Sequence, residues 1–285
     1  MTKPANGAST WVFWLACAAW VGTGVLAPWA RVAQGHSGSV RFVVLALGWA
    51  LWVGVLVALL VPSAASLTVV RMVAPLSLVA SLADGRVPAI AVCAAAFVLL
   101  FSADTGDTLV QGGAYGAETR FLLRTPLPYL VPAVLVTSLL DASVVAGPLL
   151  VAAGQWWSGV PVCAAALLLL WRAPVRLHRL SRRWLVIVPA GFVVHDHMVL
   201  AETMMLRRDN IESLAPRTGN EDAADLTGGV LRRRILVRLH RADKVILTPI
   251  TMKTLGLGEA LHVQSFTVSP RRTDAALDLL VSSRG

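Results

Sequence analysis

FVVLALGWALWVGVLVALLV, residues 42–61, runs for twenty positions without a charged side chain. A helix rises about 1.5 Å per residue, so roughly 20 apolar residues cover the hydrocarbon core of a bilayer. The same pattern recurs on both sides. Residues 11–30, WVFWLACAAWVGTGVLAPWA, carry Trp11, Trp14 and Trp29 near their ends, where indole rings anchor at the membrane interface. Residues 66–83 are apolar but contain Arg71 and Pro75. Asp84-Gly85-Arg86 then makes a tight polar turn into 87–103, so these two segments read as a helical hairpin. Segments 129–153 and 155–171, joined at Gln155-Trp156-Trp157, complete a set of about six spans.

The composition agrees with this and divides the chain. Only 14% of the 285 residues are charged, against about 25% in a soluble domain. Residues 1–171 hold seven Lys/Arg and five Asp/Glu, whereas 172–285 hold eighteen and eleven. The front part has too little polar surface to face water and reads as an α-helical integral membrane bundle. The back part has a soluble composition and the length of one small domain. Cys17, Cys93 and Cys163 all lie in apolar runs, as small buried side chains do, and form neither a metal motif nor a disulfide framework. The N-terminal apolar run is longer than the core of a cleavable signal, so it reads as a retained span.

Between the two parts lies RAPVRLHRLSRR, residues 172–183, with five arginines and no acid. By the positive-inside rule this basic juxtamembrane linker is cytoplasmic. Six spans then place the N-terminus, the 104–127 loop and the C-terminal domain in the cytoplasm of a multi-pass plasma-membrane protein. The 31–41 loop, with Arg31 and Arg41, falls outside, against the rule.

In residues 184–285 the period changes. WLVIVPAGFVVHD reads as strand, turn, strand, and HMVLAETMMLRR and NIESLAP as two further strands. Residues 218–229 are a polar, glycine-bearing loop. VLRRRILVRLH and KVILTPI read as strands around an Arg-Ala-Asp turn, and LHVQSFTVS as the last strand. Ser269 and Pro270 suit the N-cap and first turn of a closing helix with Ala276, Leu277 and Leu280 along one face. The stretch from Trp184 to Pro216, with Ile211-Glu212-Ser213-Leu214 inside it, resembles the start of bacterial pleckstrin-homology-like (PH-like) domains, and the closing helix fits the same pattern. The whole chain resembles actinobacterial polytopic membrane proteins carrying such a domain. That resemblance implies a small β-rich PH-like barrel closed by a C-terminal helix, a role in membrane-attached assembly, and no shared catalytic residue.

Several residues are candidates for chemistry. Asp141 is the one acid deep in an expected span, where a charge costs about 2.5–3.5 kcal/mol. It suits a proton or cation site, a pair with Arg71, or a structural contact with Thr137 or Ser138. The 104–127 loop holds Asp104, Asp107, Glu118, Arg120 and Arg124, acids for a divalent ion and arginines for a lipid phosphate, in no defined motif. His195 and His197 share a strand face without a third metal ligand nearby, so no metal is expected, and no cofactor. Arg232, Arg234 and Arg238 fall on one strand face and Ile235, Val237 and Leu239 on the other. With Arg172, Arg176, Arg179, Arg182 and Arg183, that basic stripe is suited to anionic inner-leaflet lipids, at about 1 kcal/mol per cation. Nucleic acid is a poor partner, because neither aromatic interleaving nor a reading motif accompanies the charge.

The leading expectation is a non-enzymatic membrane scaffold or adaptor that presents the PH-like domain at the inner leaflet to a protein partner of a cell-envelope or division assembly. The alternatives are a small-solute or lipid transporter using Asp141, and an enzyme on lipid-linked substrates using the 104–127 loop.

Overall fold

The computed structural model describes residues 7–217, 223–230, 232–255 and 260–282. Residues 218–222 of the expected polar loop, and the first six residues, lie outside the described residues. The chain divides into two compact units, Met1–Gly113 with Ala133–His178, and Ala114–Pro132 with Arg179–Gly285.

The first unit is helical. Five helices among the described residues are long and apolar enough to cross a membrane, or six if one bent pair counts as a span. The first candidate is α1 (Gly7–Leu26) followed by α2 (Pro28–Gln34). Pro28 lacks the amide that would continue α1, and Ala27 before it takes a left-handed φ of 38°, so the run breaks there. Next come α3 (Gly38–Leu60) and α4 (Ala64–Asp84). Ser63 caps α4 by accepting from the Ser66 amide at 3.0 Å, and Gly85, at φ 75°, ends it. Pro75 sits inside α4 without breaking it. The expected 87–103 span is a bent pair instead, α5 (Val87–Leu100) and α6 (Ala103–Gln111), meeting at 56°. Ser102 caps α6 through the Thr105 amide, which starts a new helix at that point.

Helices α7 (Leu127–Ala152) and α8 (Trp156–Ser181) form the last hairpin. A Cβ on Gly147 would stand 2.8 Å from Cys163 Sγ, and one on Gly159 2.8 Å from the Val151 amide nitrogen, so these glycines let the two backbones approach. Met72 of α4, Leu140 of α7 and Ala173 of α8 share a buried cluster. Helix α8 continues through the first ten residues of the 172–183 segment.

The second unit is sheet-rich. Strands β1 (Thr119–Leu122), β2 (Trp184–Val188), β3 (Gly191–His195) and β4 (Met204–Arg207) form one antiparallel sheet in that order. Strands β5 (Ile211–Arg217), β6 (Ala224–Asp225), β7 (Arg234–Ile246) and β8 (Ala260–Val268) form the second, in the order β5-β7-β8-β6. Isolated bridges at Leu123–Pro270 and Leu200–Leu247 link the sheets, and no barrel closes among the described residues, which corrects the barrel expectation. The Arg-Ala-Asp segment is not a turn either. It lies inside the thirteen-residue β7, whose register against β8 shifts between Arg238 and Asp243, so the extra residues are taken up as a bulge.

Helix α9 (Pro249–Leu255) precedes β8, and α10 (Thr273–Ser282) ends the described chain. Ala276 and Leu280 of α10 join Phe121, Leu185, Phe192, Ile235, Val237 and Phe266 in one core, with Leu277 packed against it. The helix begins at Thr273 rather than Pro270, because Pro270 is held in the bridge to Leu123 while Ser269 Oγ bonds the Arg233 carbonyl.

Candidate functional site

Strand β1 comes from the middle of the stretch expected to be a 104–127 loop. It pairs with β2 in antiparallel register, Arg120 opposite Val186 and Leu122 opposite Trp184. β2 pairs in turn with β3, Trp184 opposite His195. Residues read separately in the sequence, from the interhelical stretch, the arginine collar and the His-Asp-His triplet, thus meet at one end of one sheet.

Their side chains form a layered cluster. The Arg120 guanidinium lies 5.1 Å from the centroid of the Trp184 ring, a cation–π arrangement. Arg120 is also paired with Glu118 at 2.6 Å, and Glu118 accepts from the Tyr115 amide at 2.7 Å. Trp184 stacks on His195 with centroids 5.2 Å apart and planes 12° from parallel, and His197 meets His195 edge-on at 4.2 Å. His195 Nδ1 lies 3.2 Å from Thr203 Oγ1. Burial, then the charges of His197, Arg182 and Arg120, push the His195 pKa down to about 4, against a smaller opposing effect of Asp196. This is a positive environment that disfavours a cation. Among the described residues, no group of three or more His, Cys, Asp or Glu is placed to hold a metal ion.

Directly beneath lies a buried ion pair. Arg183 Nε and Nη2 donate to the two carboxylate oxygens of Asp196, each at 2.7 Å, and both side chains are almost wholly buried. Arg183 Nη1 donates to the Arg124 carbonyl at 3.0 Å, while Asp196 accepts from the Met198 amide at 3.1 Å. Arg124 donates from Nη2 to the Arg271 carbonyl, and burial and the charge of Arg232 pull its pKa below the usual arginine value. The Arg183–Asp196 pair follows from the strand register. The β2–β3 register sets Trp184 against His195, so the next position outward sets Arg183 against Asp196.

The expected basic surface is divided by the fold. Arg172, Arg176, Arg179, Arg182, Arg232 and Arg238 are exposed. Arg183 and Arg234 are buried, the latter 3.7 Å from Asp225, so these two are not part of an outer stripe. The expected loop constellation is divided as well. Asp104 and the buried Asp107 lie on α6 in the helical unit, whereas Glu118, Arg120 and Arg124 belong to the sheet unit. Asp141 is half-buried on α7, next to Leu140, and Arg71 adjoins Met72 of the same cluster on α4.

The helical unit also holds an apolar cavity of about 210 Å³, walled by residues that include Trp20, Trp29, Gly48, Trp52, Val145 and Leu149. Asp141 is not among its lining residues. Of these tryptophans the sequence reading placed only Trp29, at a membrane interface, whereas it is buried here against the cavity.

No family model, no curated protein and no solved structure matches this chain.

Proposed function

We propose that the chain is an integral plasma-membrane scaffold that holds a sheet-rich, PH-like domain at the cytoplasmic face for a cell-envelope or division assembly, without chemistry of its own. The observation that carries this reading is the pairing of β1 with β2. The strands flank the α7–α8 hairpin in sequence, so the domain is attached through both ends of that hairpin rather than through one tether. The exposed Arg172, Arg176, Arg179 and Arg182 support a cytoplasmic orientation and contact with anionic inner-leaflet lipids.

The other readings draw less support. For an enzyme on lipid-linked substrates, the acids and arginines of the 104–127 stretch are shared between two units, and Glu118 is already engaged by Arg120. For a transporter, the cavity of the helical unit is apolar and does not take in Asp141.

The test is affinity purification of the full chain beside a chain lacking residues 184–285. The shortened chain stays in the membrane fraction and loses its co-purifying partners. Recovery of the same partners by both chains sinks the scaffold reading.

A further inference from the structure

The tryptophan-walled cavity in the helical unit is a built feature. Trp20 Nε1 donates to the Trp52 carbonyl at 3.1 Å, and Trp52 Nε1 donates back to the Trp20 carbonyl at 3.0 Å, which clasps α1 to α3. Gly24 makes room for the Trp52 ring, because a Cβ there would stand 2.5 Å from Trp52 Cε2, and Gly48 does the same for Trp29. Trp29, Trp49 and Trp52 continue edge to face, with centroids 5.2 and 5.6 Å apart. The Ser77 hydroxyl on the wall is bonded to the Ala74 carbonyl. The polar groups of Trp20, Trp52 and Ser77 are therefore satisfied within the protein. Trp29 is 5% exposed, and its indole N–H is enclosed by the protein, so the wall that the cavity presents is apolar.

An apolar cavity of this size does not hold water, whose share of liquid volume is about 30 Å³. In a bilayer its natural filler is hydrocarbon chain. Around Trp29 the charge has one sign. Arg31 is exposed two residues on, Arg41 is exposed three residues before the wall residue Val44, and residues 27–41 contain no acid. Asp84, beyond the wall residue Ala83, is held by Arg86 at 2.7 Å.

We infer that the cavity binds one acyl chain of an anionic phospholipid, with the phosphate set against Arg31 and Arg41. This site rests on the membrane reading above and adds a ligand to it. It also accounts for two arginines on a loop that the positive-inside rule leaves without a reason.

The test uses the full chain in phosphatidylcholine vesicles containing a minor fraction of phosphatidylglycerol with a photoactivatable diazirine in its acyl chain. Crosslinks are mapped by mass spectrometry. Labelling concentrates on residues 44–52 and 73–83, several-fold above the exposed 131–139 face of α7. Unlabelled phosphatidylglycerol competes more strongly than phosphatidylcholine. Ala80→Phe, which fills the cavity, lowers the wall signal several-fold while the 131–139 signal stays. The surface pair Arg31→Gln/Arg41→Gln keeps the fold and removes the preference between the two competitors. Uniform labelling, equal competition by the two lipids in the wild type, or a wall signal and preference unchanged in both variants overturns the site. A chain that fails to float with the vesicles overturns the membrane reading, and the site with it. A chain that floats and labels uniformly overturns the site alone.

Discussion

Arg183 and Asp196 face each other as a two-pronged ion pair, both bonds 2.7 Å long, with both side chains buried and every carboxylate oxygen engaged. A buried pair of this kind adds little net stability over an apolar replacement, yet removing one member leaves a charge stranded. Asp196→Ala is expected to destabilise the sheet unit by about 3–5 kcal/mol. Arg183→Met/Asp196→Leu together are expected to cost less than the sum of the single changes. Denaturant unfolding of the detergent-solubilised chain, run as a double-mutant cycle, measures the difference. Additive losses would show that the pair is not a unit.

His195 gives the fold a pH dependence whose sign follows from its surroundings. Its folded pKa of about 4 lies below the usual histidine value, first because of burial and then because of His197, Arg182 and Arg120. Between about pH 6.5 and about pH 4 the unfolded chain takes up a proton that the folded chain does not, so stability present above about 6.5 declines as pH falls through this window. The melting temperature of the sheet unit is expected to drop by a few degrees between about pH 7.5 and about pH 4.5, with a shallower drop in His195→Gln. Equal slopes for the two proteins would remove His195 as the cause.

Phe121 tests whether β1 belongs to the sheet. It is fully buried in the same core as Leu185 and Phe192, although it lies more than sixty residues before them in the chain. Phe121→Ala is expected to cost about 3–5 kcal/mol. Limited proteolysis should then cut rapidly between residues 184 and 217, where the wild type is protected. Unchanged protection would mean that β1 is dispensable.

Gly191 tests the β2–β3 turn. Its φ is 153°, and a Cβ placed on it would run into the Leu206 carbonyl of the neighbouring strand β4. Gly191→Ala is expected to destabilise by about 2–4 kcal/mol, because the obstacle is backbone rather than a movable side chain. Ala190→Gly, one position earlier and without that contact, serves as the control. A loss confined to Gly191→Ala in thermal melts supports the clash, and equal losses in both would not.

Much of this molecule was legible because its signals are local. Twenty apolar residues make a spanning-length helix wherever they stand, so α3 and α7 lie close to where composition and length put them. The hairpin Trp184–His195 was legible from a Pro-Ala-Gly turn between two β-branched runs. The basic stripe was only half legible. Alternation places Arg234 and Arg238 on one face, yet Arg234 is covered and paired with Asp225 while Arg238 is exposed, because what covers a strand face comes from elsewhere in the chain.

The sequence by itself determined the division into an apolar helical part and a basic, strand-rich part, because hydropathy and period act over a few neighbouring residues. Only the tertiary structure decided that Thr119–Leu122 completes a sheet begun more than sixty residues later, that Arg183 meets Asp196 in the core, and that Trp20 and Trp52 clasp the wall of a cavity. Each of these is set by backbone register or side-chain packing, and neither leaves a mark in the composition of the segments it joins.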